Sequence, residues 1–371
     1  MNDIQIFVNM FKAGNITIHS IQLLRAVAAL LVVLFHAHLA LVQVGSAKMF
    51  AGEAYLFRFG AVGVHIFFVI SGFIMVHTSR TEPSFDAKSF LRRRLLRIYP
   101  IYWICAALYV IAHFAIEQPF FLSGAEWIGA LLLWPGQASK IIGPAWTLSF
   151  EMYFYVCFGL FILFGLTRGL LGLGAFFLVC IFVRPLTGFQ SSPTNLASNP
   201  LLIEFLAGCV IGWLLKTGRL PKRGGNLAIV GALFLYLGGI VVGYERVPSL
   251  IAWGPPSALL ILGVAIIESA RGAHSSVRRI GYFGDSSYAL YLIHILIITL
   301  IISAVGAARV QTLPAIPGAI LITILSLAAA ESLHWGLERP LLRRLNPRRA
   351  LVPPRPILEI EGSEVRGSGP E

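Results

Sequence analysis

Apolar stretches long enough to cross a lipid bilayer recur along this chain from Ile21 to about Gly336. A helix needs about 20 apolar residues to cross, because the hydrocarbon core is about 30 Å thick. Hydrophobic residues make up 57% of the chain and charged residues only 12%, which is about half the charged fraction of a soluble domain. The stretches are apolar on all sides and do not alternate, which favours helices over barrel strands. The sequence therefore predicts an all-α polytopic membrane protein.

The apolar pattern predicts about ten transmembrane helices. The expected spans are 21–44, 59–78, 98–116, 146–166, 169–183, 200–215, 226–243, 250–269, 287–305 and 314–337. The fifth span is short for a membrane-crossing helix. The apolar stretch Glu126–Trp134 is too short to cross and is expected to form a re-entrant or interfacial segment.

The distribution of Lys and Arg predicts the orientation. With both termini in the cytoplasm, 23 of the 29 Lys and Arg residues fall on the cytoplasmic side, as the positive-inside rule requires. We expect a cytoplasmic leader at residues 1–20, one membrane domain at 21–345, and a Pro-, Arg- and Gly-rich disordered cytoplasmic tail at 346–371.

The net charge of +12 lies between the apolar stretches, so it indicates topology and anionic lipid rather than nucleic acid. No nucleic-acid-binding motif accompanies the charge. The four cysteines all lie inside apolar stretches without a CxxC spacing. We therefore expect neither a disulfide framework nor a metal site.

Arg25 and His36 are eleven positions apart on the first predicted helix. Eleven residues turn an α-helix by about 20° more than three full turns, so both side chains lie on one face. The rise between them is roughly 16 Å, which places His36 near the bilayer midplane if Arg25 lies at the cytoplasmic edge. This arrangement predicts an anion-binding arginine below a general base. The structural alternative is a topology-setting arginine and a hydrogen-bonded core histidine.

Arg94 and Arg97 lie three positions apart in an arginine-rich run just before the third span. Residues at this spacing share one helical face. Guanidinium groups match phosphate oxygens in a bidentate manner, so the pair predicts a phosphate-binding site. A purely topological role for the cluster is the alternative.

The segment Pro144–Tyr155 places an acid inside a span. Glu151 lies about five residues from the predicted outer end of the fourth helix, where a carboxylate is costly unless it is paired or protonated. Ser149 and Tyr153 lie close by, and Trp146 suits either an interfacial aromatic belt or a platform for stacking a sugar. Glu151 is therefore a candidate catalytic residue on the outer side, with a structural role as the alternative.

Two further clusters are weaker candidates. His65 and Ser71 lie in the second span, where Ser71 and the neighbouring glycines suit close helix packing. Tyr288, Tyr291 and His294 are three positions apart and form one polar stripe on the ninth span. Core hydrogen bonding explains this stripe as well as catalysis does.

These motifs together resemble the acyltransferase-3 family of integral membrane acyltransferases, and within it the exopolysaccharide and O-antigen O-acetyltransferases. The resemblance covers roughly residues 18–345. Arg25 with His36 fits the family's Arg/Lys-x10-His pattern, and Arg94-Leu-Leu-Arg97 fits its Arg-x-x-Arg pattern. The other matching motifs are Trp146-Thr-Leu-Ser-Phe-Glu151, Tyr288-Ala-Leu-Tyr-Leu-Ile-His294 and Glu338-Arg-Pro340.

The resemblance implies an acyl-CoA donor, usually acetyl-CoA, and a carbohydrate acceptor, handled by a multi-pass protein of the cytoplasmic membrane. It makes His36 the catalytic histidine and assigns the coenzyme A phosphates to Arg25, Arg94 and Arg97. Many relatives carry Asp where this chain has His65, so the role of that Asp does not transfer. Acetyl-CoA is expected as a co-substrate, with no bound cofactor and no metal.

Our hypothesis is that His36 deprotonates a sugar hydroxyl oriented by Glu151, on the side opposite to the arginines. An acyl-histidine intermediate is the alternative. The residues considered for acceptor-side or supporting roles are Trp146, Ser149, Tyr153, Tyr288, His294 and His65. The competing functions are a transporter of a glycan or small solute, which usually has internal repeats that this chain lacks, and a non-catalytic scaffold.

Overall fold

The computed structural model describes residues 18–45, 57–79, 85–188, 190–243, 246–312 and 314–345. Within these ranges every regular element is a helix, and ten helices are long and apolar enough to cross a membrane. The α-helices of these spans, several of which short flanking helical turns extend, are α1 (His19–Val44), α2 (Val62–Thr78), α3 (Ala87–Ala115), α4 (Trp146–Phe161), α5 (Leu166–Thr187), α6 (Leu202–Lys216), α7 (Gly225–Val242), α8 (Ser249–Arg271), α9 (Ser287–Val305) and α10 (Ala315–Leu333).

The predicted all-α membrane architecture is confirmed, and each of the ten predicted spans corresponds to one of these helices. Helix α10 continues through a π-helical turn, His334–Glu338, into Arg339–Leu345. Most of the predicted leader and the whole predicted tail, residues 1–17 and 346–371, lie outside the described residues.

Two helices are longer than predicted. Helix α3 starts at Ala87 rather than 98, and Asp86 caps it by accepting a hydrogen bond from the Ser89 N–H at 3.2 Å. The bonds from Ser89 lower the pKa of the Asp86 carboxyl. Helix α5 has 22 residues and includes Arg184 in its last turn, where a cation is favoured by the helix dipole. The prediction started α3 after the arginine-rich run and ended α5 before Arg184, whereas both helices include these charged residues.

The predicted re-entrant segment forms a short helix, Gly124–Leu131, which ends inside the bundle. Its C-terminal carbonyls accept hydrogen bonds from α3 residues that lie 12 to 16 positions before the C-terminus of α3. This corresponds to roughly 18–24 Å along the axis of α3. Four consecutive carbonyls each accept a side-chain hydrogen bond, which satisfies groups that a helix end leaves unpaired. The donors are Tyr102 to Ala130 (2.7 Å), Trp103 to Leu131 (2.9 Å), Tyr99 to Leu132 (2.9 Å) and Ser149 to Leu133 (2.8 Å).

The other end of the short helix is closed by a capping box. The Glu126 N–H donates to Ser123 Oγ at 3.3 Å, and the Ser123 N–H donates to Glu126 Oε2 at 2.8 Å. Lys140 Nζ lies 3.1 Å from Glu126 Oε1. The bond from the Ser123 backbone and then the Lys140 ammonium lower the pKa of Glu126 to about 2.

The re-entrant segment makes α4 begin deep inside the protein. The Tyr291 hydroxyl bonds to the Pro144 carbonyl at 2.8 Å and to Thr147 Oγ1 at 2.7 Å. Tyr291 lies only four residues after Ser287, where α9 starts. The first turn of α4 is therefore level with the second turn of α9, and not at the opposite end of the bundle.

Glycines allow α2 to pack closely against two neighbouring helices. A Cβ atom at Gly72 would lie 1.9 Å from the Phe205 carbonyl oxygen of α6, and one at Gly63 would lie 2.3 Å from the Ala28 carbonyl oxygen of α1. Such contacts exclude any larger residue, as in other membrane helix pairs. The predicted packing role is confirmed for these glycines.

Helix α1 is held at its start by an acid from α8. Both carboxylate oxygens of Glu268 accept hydrogen bonds of 2.7 Å, from the backbone N–H groups of His19 and Ser20. A carboxylate at a helix N-terminus satisfies free N–H groups and complements the helix dipole. This anchor fixes the first turns of α1, and Arg25 follows directly after them.

Candidate active site

A cavity opens at the end of the bundle where α1, α3 and α9 begin. It encloses about 810 Å³ including its open part, and Arg25, Arg94 and Arg97 all line it. We call it the arginine cavity. Most of the remaining wall is apolar, from Phe67, Phe68, Ile70, Ile74, Met75, Ile98 and Leu148.

The arginines in this cavity have no paired carboxylate among the described residues. Arg25 donates to Gln22 Oε1 at 2.9 Å and Arg94 to Thr78 Oγ1 at 2.9 Å. The Arg94 guanidinium also lies 5.6 Å from the Phe90 ring and 5.7 Å from the Tyr155 ring, within cation–π range. Since Arg25 is only 8% exposed, these groups form a partly buried cationic site that favours an anion.

Glu151 lines the same cavity as the arginines. Its Oε1 accepts hydrogen bonds from Ser71 at 3.3 Å and from the Tyr155 hydroxyl. The prediction that Glu151 opens on the opposite side is therefore wrong. The physical reason is the deep start of α4, which carries Glu151 a further turn toward the arginines.

His36 lies beyond the inner end of the arginine cavity and pairs with His294 of α9. The His36 Nδ1 atom is 3.3 Å from His294 Nε2, and the two rings are 5.1 Å apart at an angle of 50°. The His294 ring also lies 6.0 Å from the ring of Tyr291, which lines the arginine cavity. Arg25 shares its cavity with residues of α9 and His36 contacts α9 directly, in agreement with the shared helical face predicted from their spacing.

A second cavity, of about 810 Å³ with its open part, lies on the other side of His36. We call it the histidine cavity. Besides His36, its polar lining consists of neutral amides and hydroxyls from Gln43, Gln118, Thr299 and Ser303. Its apolar lining comes from Leu39, Ala40, Val44, Ile295, Ile298 and Ile302. The histidine pair therefore lies between two cavities of different chemistry.

His65 belongs to neither cavity. Its Nδ1 lies 2.6 Å from Glu204 Oε1 of α6, and both side chains are buried. Glu204 of α6 is thus the partner of His65, a contact that only the tertiary structure reveals.

The remaining candidates separate into lining and supporting residues. Tyr288 lines the arginine cavity and donates to the Ile98 carbonyl at 2.9 Å. Ser149 supports the re-entrant helix. Trp146 is 40% exposed, and its ring lies 6.3 Å from that of Phe68. Trp146 lines neither cavity.

Tyr153 does not face an acceptor site. Its ring packs 6.0 Å from that of Phe177 on α5, away from both cavities. Tyr153 lies on the side of α4 opposite to the cavity-lining residue Tyr155, and its predicted acceptor-side or supporting role stays a prediction.

Several cavity residues were not singled out from the sequence. Thr147 lines the arginine cavity, and Gln43 and Gln118 line the histidine cavity. Gln43 had a usable signal, since it follows His36 by seven residues, close to two full turns on the same helical face. Gln118 had none, because it lies outside the helices and only tertiary folding brings it to α1.

The fold and the two cavities define a multi-pass α-helical membrane protein with an arginine-lined cavity and a pair of histidines beyond it. The chain belongs to the acyltransferase-3 family, whose acyltransferase domain matches residues 18–334.

The chain is similar to several named proteins of this kind. It is 33% identical over 308 residues to the exopolysaccharide production protein ExoZ of Rhizobium meliloti, covering 79% of this chain and 93% of that protein. It is 28% identical to the acyltransferase MdmB of Streptomyces mycarofaciens, covering 84% and 87% of the two chains. It is 25% identical to the peptidoglycan O-acetyltransferase OatA of Listeria monocytogenes, covering 65% and 45%. No solved structure matches the chain.

Proposed function

We propose that this acyltransferase moves an acyl group, in the simplest case acetyl, from acyl-CoA in the arginine cavity to a carbohydrate hydroxyl in the histidine cavity. The observation that carries the proposal is one cavity lined by three arginines, none of which has a carboxylate partner among the described residues, with the His36–His294 pair beyond its inner end. The names of the relatives support a carbohydrate acceptor, because one acts in exopolysaccharide production and another is a peptidoglycan O-acetyltransferase.

The chemistry of the arginine cavity suits a coenzyme A thioester. The phosphates of coenzyme A carry several negative charges. Arg25, Arg94 and Arg97 bind these phosphates through charge-assisted hydrogen bonds. The apolar wall suits the pantetheine arm, which directs the thioester toward Tyr291 and the histidine pair. Glu151 then acts on the donor side, where its carboxylate offsets part of the arginine charge.

The histidine cavity suits a sugar. Amide and hydroxyl groups from Gln43, Gln118, Thr299 and Ser303 form hydrogen bonds with sugar hydroxyls, and the apolar wall contacts the ring. An acceptor in this cavity places a hydroxyl beside His36.

His36 is the general base in this proposal. It removes the proton of the sugar hydroxyl while the hydroxyl oxygen attacks the thioester carbonyl carbon. The carbon–sulfur bond breaks, an oxygen ester forms, and the proton passes from His36 to the sulfur, so coenzyme A leaves as a thiol. Transfer through an acyl-histidine gives the same products in two steps.

We place the arginine cavity on the cytoplasmic side of the cytoplasmic membrane, with both termini in the cytoplasm. The excess of Lys and Arg on that side of the helices supports this orientation, and acyl-CoA is a cytoplasmic metabolite. The basic residues at the same helix ends would contact anionic lipid headgroups.

The test uses the purified protein reconstituted into liposomes, in separate preparations in which the arginine cavity faces either the outside or the inside. Acetyl-CoA with a labelled acetyl group is added to one side and exopolysaccharide to the other. We expect base-labile label on the polysaccharide only when acetyl-CoA meets the arginine side. Acetyl-dephospho-CoA, which lacks the 3′-phosphate, should have a higher KM.

Release of acetyl from CoA without any acceptor product would contradict the carbohydrate acceptor. Equal use of acetyl-CoA from both sides would contradict the assignment of the donor cavity. No turnover with acetyl-, propionyl- or succinyl-CoA would contradict the acyl-CoA donor.

A further inference from the structure

His36, the base of the proposed reaction, is in contact with a second histidine, His294. His294 is fully buried, with 0% exposure, whereas His36 is partly exposed to the histidine cavity. Their nitrogens are 3.3 Å apart, although the two residues are separated by 258 positions in the chain. Helix α9 therefore places the His294 imidazole next to the Nδ1 atom of His36.

The backbone bonds of the two rings decide which nitrogens carry protons. His36 Nδ1 lies 2.9 Å from the Val32 carbonyl, and His294 Nδ1 lies 3.1 Å from the Leu290 carbonyl. A carbonyl oxygen only accepts, so each Nδ1 carries its proton and each neutral ring has its lone pair on Nε2. The His294 Nε2 lone pair then faces the His36 Nδ1–H group.

The remaining nitrogen of His36 is ready to accept a proton. Within the described residues, His36 Nε2 has no hydrogen-bond partner, and His36 lines the cavity proposed for the acceptor. No carboxylate among the described residues bonds to either ring. The Asp that orients histidine in many hydrolytic sites is replaced here by a neutral imidazole.

We propose that His294 is a positioning residue that accepts a hydrogen bond from His36 Nδ1–H and so aims His36 Nε2 at the acceptor hydroxyl. This inference rests on the proposed function of His36 as base. Sharing the Nδ1 proton between Val32 O and His294 Nε2 fixes the ring and its tautomer, and His294 stabilises the imidazolium that forms during transfer. Outer partners of this type change activity by about 10- to 100-fold in other sites.

A purely structural role for His294 predicts different behaviour. In that case any residue that fills the buried space against Tyr291 would preserve turnover, and the hydrogen-bonding ability of the residue would not matter. The two roles therefore separate when shape and hydrogen bonding are changed independently.

The experiment compares His294→Leu, which keeps volume but removes the acceptor, with His294→Gln, whose Oε1 takes the place of Nε2. The matched control is His113→Leu, because His113 Nδ1 also bonds to a carbonyl four residues earlier, Tyr109 O at 2.9 Å. Each protein is measured for folding, for kcat and for the KM of acetyl-CoA.

We expect His294→Leu to lower kcat about 10- to 100-fold with an unchanged KM, His294→Gln to recover most of it, and His113→Leu to match the wild type. Wild-type kcat in folded His294→Leu would overturn the proposal. If His294→Leu fails to fold, His294→Gln decides: near-wild-type kcat supports the proposal, and a loss as large as that of His36→Ala overturns it.

A measurement without substrate separates this inference from the proposed function. Diethylpyrocarbonate acylates neutral imidazole nitrogens, and peptide mass spectrometry follows its reaction at His36. Removal of the His294 acceptor should slow that reaction even in a protein that proves inactive with acetyl-CoA. An unchanged rate at His36 in His294→Leu would contradict the positioning role, whereas a wild type without any turnover contradicts only the proposed function.

Discussion

Two histidines on neighbouring membrane helices, His65 and His36, each contact a buried partner, and the two contacts differ in chemistry and in access to open space. His65 lies 2.6 Å from Glu204 between α2 and α6, and neither residue lines a cavity. His36 lies 3.3 Å from His294, and His36 lines a cavity. The first pair joins an imidazole to a carboxylate in a closed core, and the second joins two neutral rings beside open space.

The difference shows what makes an intramembrane histidine available for catalysis. α2 packs closely against α6 through Gly72 and Gly208, and His65 is buried there and lines neither cavity. Among the described residues, His36 contacts the Val32 carbonyl and the His294 imidazole through Nδ1 and has no partner at Nε2, so this nitrogen beside the cavity can exchange a proton with a substrate.

The largest effect expected from this comparison is on turnover after loss of His36. His36→Ala should lower kcat about 10²- to 10⁴-fold, the range for a lost general base, with an unchanged KM for acetyl-CoA. Transfer of labelled acetyl from acetyl-CoA measures both. His113→Ala is the control, and undiminished glycan acetylation by His36→Ala would remove both the base and the acyl-histidine mechanisms.

The closed pair should affect stability instead. His65→Leu leaves the Glu204 carboxylate buried without its partner, which costs about 3–5 kcal/mol of the free energy of unfolding. The double variant His65→Leu/Glu204→Leu should recover most of this loss, because no buried charge remains. Thermal unfolding in detergent is the measurement. A His65→Leu protein of normal stability but without turnover would show that the pair takes part in catalysis.

The arginine cavity should determine donor affinity. Arg94→Ala/Arg97→Ala should raise the KM of acetyl-CoA at least about tenfold, since charge-assisted hydrogen bonds each contribute about 1.5–3 kcal/mol. The matched control is Arg92→Ala/Arg93→Ala, because these neighbouring arginines are exposed and line neither cavity. An equal rise in both double variants would indicate a general electrostatic effect rather than a binding site.

The smallest effect concerns the capping box of the re-entrant helix. Ser123→Ala should destabilise that helix by about 1 kcal/mol, seen as faster hydrogen exchange at Gly124–Leu131 with little change in kcat. The pKa of Glu126 is lowered from 4.5 to about 2. The contribution of its carboxylate is therefore complete above about pH 4.5 and is lost as pH falls toward 2. Exchange that is equally slow in Ser123→Ala and the wild type would contradict this role.

The sequence by itself determined the membrane class, the ten spans and the shared face of Arg25 and His36. The length of a membrane span and the face on which a side chain lies depend only on residues that are close in the sequence, so both can be predicted from the sequence alone. The motifs also placed the chain in its family, and the family match over residues 18–334 confirms this.

Only the tertiary structure decided which polar groups meet. Glu151 lies on the same side as the arginines, because the re-entrant helix lets α4 begin inside the bundle. The tertiary structure joined His294 to His36 and Glu204 to His65 across 258 and 139 positions. Such pairs depend on how helices are arranged around one another. In an apolar core that arrangement follows from close glycine contacts and from the need to satisfy every buried polar group, and no local sequence pattern records it.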